Sequence, residues 1–233
     1  MLRSLLAVLA IATQARGSSV LVLFTQRAVV FGADSHMDLI GTDGSQSGRL
    51  CKIHVANNFV WAAVGLVGET EGPFDLQKIV PKALKTGTPF LRAIKNLQAQ
   101  LGTSFPEFLK RARTMGIAPN AVKVEIAVAG GEQGILRVSR ISISQANPVP
   151  VREDCPGPAC PEIGVFELGF HGAIDRILDT RHAIWREMGI HEAMRYLIAS
   201  QSAATPNSVS GPVAIVELRQ SGLRWIDAGT CKQ

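Results

Sequence analysis

No stretch of the sequence reaches the roughly 18 consecutive apolar residues that a membrane-crossing helix needs. The apolar run from Leu5 to Ala12 holds eight residues, about 12 Å as a helix. Aromatic residues are scarce at 6% and charged ones make up only 18%. The 24 basic and 19 acidic residues leave a net charge of +5, and +3 without Arg3 and Arg16. Lys and Arg are scattered among Asp and Glu, and no basic stripe interleaved with aromatics is present, so a nucleic-acid partner is excluded. Trp61, Trp185 and Tyr196 read as core rather than as a base-stacking platform. With 22 Gly and 12 Pro the chain stays far below low complexity, and its 46% hydrophobic residues can fill a large core. No polar linker long enough to divide it is found, so a single domain is expected.

What is present begins at the N-terminus. Met1 to Gly17 carries an Arg at position 3, the apolar run, and then small and polar residues, the pattern of a signal peptide or short propeptide. Small residues at 15 and 17 suit cleavage after Gly17, and a cut after Ala15 competes with it. An exported chain, periplasmic or extracellular, with no stable membrane anchor after cleavage, is expected. Its four cysteines, Cys51, Cys155, Cys160 and Cys231, can then pair. Cys155 and Cys160 bracket a tight Pro-Gly-Pro-Ala loop, which leaves Cys51 with Cys231, one of three possible connectivities. The spacings do not suit a zinc finger. Nor do the five histidines, at 36, 54, 171, 182 and 191, show a ligand spacing, so no metal and no organic cofactor are expected.

Along the rest of the chain, apolar and β-branched runs predict strands and 3.6-residue periodicity predicts helices. Ser19–Ala33 reads as a hairpin broken at Thr25-Gln26-Arg27, and Asn58–Val67 as a buried strand. Helices are predicted over Pro73–Leu101, interrupted near Gly87 and Pro89, and separately over Phe105–Met115. Val122–Ala129 and Ile135–Ser144 read as strands joined by a Gly-rich turn at 130–134, which lacks the Lys-Ser/Thr of a phosphate loop. A Pro-rich loop follows at Asn147–Pro161, then a strand at Ile163–Phe170, helices at Ala173–Met188 and Ile190–Ala204, and closing strands at Ser210–Leu218 and Leu223–Ile226. Hairpins joined by grouped helices imply an α+β layered domain of antiparallel sheets.

Three local patterns carry chemistry in their order: Asp34 closing Ala28-Val-Val-Phe-Gly-Ala-Asp-Ser, Lys52 before Ile53, and Val64-Gly65-Leu66-Val67-Gly68-Glu69. In that order, with Ser208-Val209-Ser210-Gly211 further on, they resemble the proteasome β-subunit family and its bacterial relatives within the N-terminal nucleophile hydrolases. The resemblance implies a four-layer αββα sandwich. It also implies a nucleophile sixteen residues before the acidic residue, which is Ser18, directly after Gly17. By the same resemblance Asp34 and Lys52 assist it, Gly65 donates to the oxyanion, Asn207 and Ser210 support the terminal amine, and Met37, Asp38 and Ala63 line the substrate cleft. A homo-oligomeric ring is a further implication.

The chemistry can be stated from the groups themselves. A Ser hydroxyl needs a base, and a free α-amine, with a reference pKa of about 7.7–8.0, is one at neutral pH. Only cleavage before Ser18 supplies it. Hydrolysis of a peptide or small amide through an acyl-enzyme on Ser18 follows. Lys52 as a neutral base is the related variant, and Asp34 beside it argues against the depressed lysine pKa that this requires. The chain departs from the family in having Ser for Thr, Asn207 for Asp, and Phe170 or His171 where a small hydroxyl residue is expected. These departures support the rival reading, a catalytically silent structural or binding subunit of the same fold.

Overall fold

The computed structural model describes residues 12–15, 18–41, 44–69, 74–114, 117, 122–157, 160 and 163–231. Thirteen strands and five helices form among them, in two antiparallel sheets. The smaller sheet runs β11-β2-β3-β12-β13. Here β2 is Ser19–Phe24, β3 Ala28–Ala33, β11 Gly164–Gly169, β12 Ala214–Arg219 and β13 Gly222–Asp227. In the larger sheet β10 (Val151–Cys155), β9 (Ile135–Ser144), β8 (Lys123–Glu132) and β7 (Phe59–Glu69) follow one another. Beyond β7 come β1 (Ala12–Ala15), β4 (His36–Gly41) and β5 (Gly44–Arg49), while β6 (Ile53–Ala56) pairs with the first half of β7.

Three apolar layers separate four layers of secondary structure, as expected of an αββα sandwich. Helices α1 (Leu76–Ala83) and α2 (Phe90–Thr114) pack Ile79, Ile94, Leu97, Phe105 and Phe108 against Trp61 and Ile126 of the larger sheet. Between the sheets lie Val22, Phe31, Val60, Val64, Leu168 and Val216. Helices α3 (Gly172–Thr180), α4 (Ile184–Met188) and α5 (Ile190–Ala204) place Ile174, Met194, Leu197 and Ile198 on Leu21, Val30 and Ile215 of the smaller sheet. Strands β2 and β3 are buried on both faces, which is why they read as unbroken apolar runs.

Several boundaries differ from the sequence reading, each for a local reason. The predicted break before Phe105 is absent: α2 continues through Gly102 and Pro106 because Leu101, Phe105 and Phe108 lie on its buried face, and packing overrides the weak propensity of those residues. The turn at 130–134 shrinks to Gln133-Gly134, both at positive φ (53° and 76°), the geometry of a two-residue hairpin turn. The Pro-rich loop contains β10, an edge strand against β9. The helix predicted over Ala173–Met188 breaks between Thr180 and Ile184. Strands β4 and β5 were not foreseen, since Asp38, Gly41 and the Gly44–Arg49 run resemble a polar loop.

Both disulfides pair as expected, Cys51 with Cys231 and Cys155 with Cys160, and such bonds belong to an oxidising compartment. No described helix is long and apolar enough to cross a membrane. Most of the N-terminal apolar run, and Gly17, lie outside the described residues. The segment Ala12–Ala15 does not: as β1 it is an interior strand, antiparallel to β4 on one side and β7 on the other, with Gln14 opposite Asp38 and Ala15 opposite Gly65.

Candidate functional site

The first hairpin of the smaller sheet brings Ser19, the neighbour of Ser18, against Asp34. Pairing of Val20 with Ala33 sets Ser19, the first residue of β2, beside Asp34 just past β3, so that Asp34 Oδ1 accepts the Ser19 N–H at 2.8 Å. Lys52, arriving just before β6, donates to the same oxygen at 2.6 Å. The other oxygen accepts the backbone N–H groups of His36 (2.9 Å) and Ser210 (3.3 Å). Asp34 thus receives three backbone N–H groups and one ammonium while only 2% exposed, so its buried oxygens are well supplied with hydrogen-bond donors.

Lys52 is 4% exposed. Burial lowers its pKa to about 8, with Asp34 and then Asp38 pulling the other way. The sequence reading held that Asp34 would prevent such depression; burial outweighs the carboxylate here. The neighbouring Cys51–Cys231 bond ties the end of the chain beside this lysine, with 4.7 Å between the Cα atoms.

Ser18 itself is 1% exposed and its Oγ has no hydrogen-bond partner among the described residues. A buried hydroxyl without a partner costs stability and calls for an explanation. Its carbonyl accepts the Phe170 N–H at 2.9 Å. Gly169, at φ +80°, passes so close that any Cβ there would overlap that carbonyl oxygen. The N–H of Gly169 is held by Glu125 on β8 at 3.1 Å. Glu125 is buried, which raises its pKa, but bonds from Arg140 and Gly169 and the charge of Lys123 outweigh this and keep it below the usual carboxylate range. Glu125 did not emerge from the sequence, though a lone carboxylate inside Val124-Glu125-Ile126 was a readable signal.

Gly65 lies midway along β7 at φ +93°, where a Cβ would collide with the Lys123 carbonyl. Its conformation, and not only its register opposite Ala15, demands glycine. Met37 and Ala63 border a small cavity of about 20 Å³ together with Lys52, His54, Trp61 and Gln77. The ring of His54 stacks 4.3 Å from Trp61 and meets Gln77 at 2.9 Å; burial lowers its pKa to about 4. Asp38 turns instead toward His36, 3.2 Å from Nε2. Ser210 stands beside Asp34, whereas Asn207 is exposed in the turn behind α5. Phe170 is 46% exposed.

The fold has known counterparts. Anbu from Hyphomicrobium sp. strain MC1 is 17% identical with a TM-score of 0.56, the match covering 90% of this chain and 88% of that one. Its Gly-1 mutant gives 17%, 0.57, 91% and 89%. Anbu from Yersinia bercovieri, described as an ancestral β-subunit, is 14% identical with a TM-score of 0.58, over 90% of this chain and 86% of that one. The fold is Anbu-like. No family model and no curated protein matches the sequence. The family reading of the motifs is corrected accordingly: these structural counterparts are Anbu proteins, and at such low identity they establish a proteasome-like fold and nothing narrower.

One grouping lies outside this site. Glu167, His171 and Asp175, which the sequence spacing did not suggest, bring three donor atoms within 4.8 Å of one another. Burial and the neighbouring Asp175 raise Glu167 to about 7, and His171 donates toward Asp175 at 2.8 Å.

Proposed function

We infer that the chain is an exported amide hydrolase whose nucleophile is Ser18, exposed as the first residue when residues 1–17 are removed, leaving 18–233 as one domain. The reading is carried by the buried Oγ of Ser18, without a hydrogen-bond partner among the described residues, one residue ahead of Ser19, whose N–H is held by the Asp34 carboxylate that also binds Lys52. A free α-amine on the same residue gives that hydroxyl the partner it lacks and a base to receive its proton. The Lys52 ammonium lowers the pKa of both amine and hydroxyl, and Asp34 holds the lysine in place. Gly65 donates its N–H to the oxyanion.

The position of β1 supports a peptide as substrate. An extended chain in the slot between β4 and β7 gains main-chain hydrogen bonds on both sides, and the leader already runs there toward Ser18. Met37 and Ala63 then border the pocket for the side chain at the scissile residue. Assembly of several copies, as in a ring, belongs to the same reading, as does a substrate that is a small amide. The lowered pKa of Lys52 favours a second reading, in which neutral Lys52 is the base and the amine is dispensable.

The deciding experiment is intact-mass and N-terminal analysis of the exported protein, joined to labelling by a β-lactone. A chain beginning at Ser18 that loses labelling in Ser18→Ala is expected. A labelled chain that keeps residues ahead of Ser18 selects Lys52 as the base. No labelling of the processed chain leaves the silent-subunit alternative.

A further inference from the structure

We propose that Glu125 is a positioning residue for Ser18: reaching from the larger sheet to the Gly169 N–H, it fixes the turn whose next amide holds the Ser18 carbonyl. This role rests on the hydrolase reading above. Alternation along β8 turns Glu125 to the same face as Ala127 and Ala129, which pack toward the smaller sheet. There it is 3% exposed. Its Oε2 accepts the Gly169 N–H at 3.1 Å, and Phe170, the next residue, donates its N–H to the Ser18 carbonyl at 2.9 Å.

The peptide joining Ser18 to Ser19 is thereby held at both ends. The Ser18 carbonyl meets Phe170, and the Ser19 N–H meets Asp34 Oδ1. Each holder is tied in turn to a charged side chain from the larger sheet: Asp34 to Lys52, which arrives just before β6, and Gly169 to Glu125. A peptide group is planar, so fixing its carbonyl and its N–H also fixes the Cα of Ser18. The hydroxyl then moves only by rotation about Cα–Cβ.

Glycine explains why such a tie is needed. At φ +80° Gly169 comes so close to Ser18 that a Cβ would lie 2.0 Å from the carbonyl oxygen, and a residue without a side chain is the most mobile that a turn can use. Glu125 supplies the rigidity from outside the turn. It is itself anchored, since Oε1 accepts from Arg140 at 2.6 Å and Lys123 lies 3.1 Å from Oε2. Two residues back along β8, the Lys123 carbonyl packs against Gly65. One short stretch of this strand therefore backs both Gly65 and the turn that holds Ser18.

Two conservative substitutions separate the hydrogen bond from the charge. Glu125→Gln keeps an oxygen within reach of Gly169, with Arg140 able to turn to Glu153, 3.8 Å away; Glu125→Asp keeps the charge for Arg140 and loses the reach. Labelling of the processed protein is followed against β-lactone concentration, which splits the limiting rate from the half-saturating concentration. Glu125→Asp is expected to lower the limiting rate on the order of thirtyfold with half-saturation unchanged, and Glu125→Gln to stay within about fivefold of the wild type, since a misplacement of about 1 Å costs up to a hundredfold. Equal rates in all three, a Gln variant as slow as the Asp variant, or a change confined to the half-saturating concentration overturns the proposal. If even the wild type is not labelled, the hydrolase reading fails instead, and amide hydrogen exchange at Phe170 still decides the clamp. Glu125→Asp is expected to speed that exchange about tenfold and Glu125→Gln to leave it unchanged; identical exchange in the three proteins overturns it.

Discussion

Lys52 Nζ lies 2.6 Å from Asp34 Oδ1 with the two side chains only 2% and 1% exposed, yet the partners are unequally supported. Asp34 has three backbone N–H groups besides the lysine. Removing one member of a buried pair strands the other at a cost of about 3–5 kcal/mol. Asp34→Ala is expected to lose that full amount in urea unfolding, and Lys52→Met distinctly less, because the carboxylate keeps its N–H donors. Equal losses, or the reverse order, would show that the backbone donors do not stabilise Asp34.

Two groups outside this pair give opposite pH dependences. His54 titrates at about 4 in the folded chain against 6.5 when unfolded. Between those values the unfolded chain binds the extra proton, so stability rises with pH across the window and is lost as pH falls. Glu167 titrates at about 7 against 4.5; here the folded chain binds the extra proton, and stability falls as pH rises from 4.5 through 7. Melting curves should show His54→Gln flattening the acid side. Glu167→Gln should gain a few degrees at pH 8 over the wild type. An unchanged profile in either variant removes that residue from the account.

The two disulfides close loops of very different length, with sequence separations of 180 and 5 residues. Chain-entropy estimates give about 5 kcal/mol for the long loop and about 2 kcal/mol for the short one. Cys51→Ser with Cys231→Ser is expected to lower the melting temperature by more than Cys155→Ser with Cys160→Ser. It should also slow labelling at Ser18, since Cys51 adjoins Lys52. Differential scanning calorimetry and the β-lactone assay read both effects. A larger thermal loss from the short loop would contradict the ordering.

An α+β domain of layered antiparallel sheets was legible in the sequence because its strands are either wholly apolar, as β2 and β3 are, or end in clear turns, while the four-layer αββα order came from the family resemblance. Strand β4 was not, because its sheet position comes from partners distant in sequence while Asp38 and His36 look like loop residues. Of the residues singled out by their order, Asp34 and Lys52 meet in one buried contact. What spacing could not supply was burial: it is burial that brings Lys52 to about 8, and hydrogen bonding across 174 residues that joins His36 to Ser210. Pairing between distant segments likewise hid the role of Glu125, which reaches Gly169 from the other sheet.

With β1 lodged between β4 and β7, the proposed hydrolase is guarded twice before maturation, since the amine is tied up in a peptide bond and the groove is already full. A single scission lifts both guards together. On the hydrolase reading, the uncut chain is harmless to neighbouring proteins without a separate inhibitor.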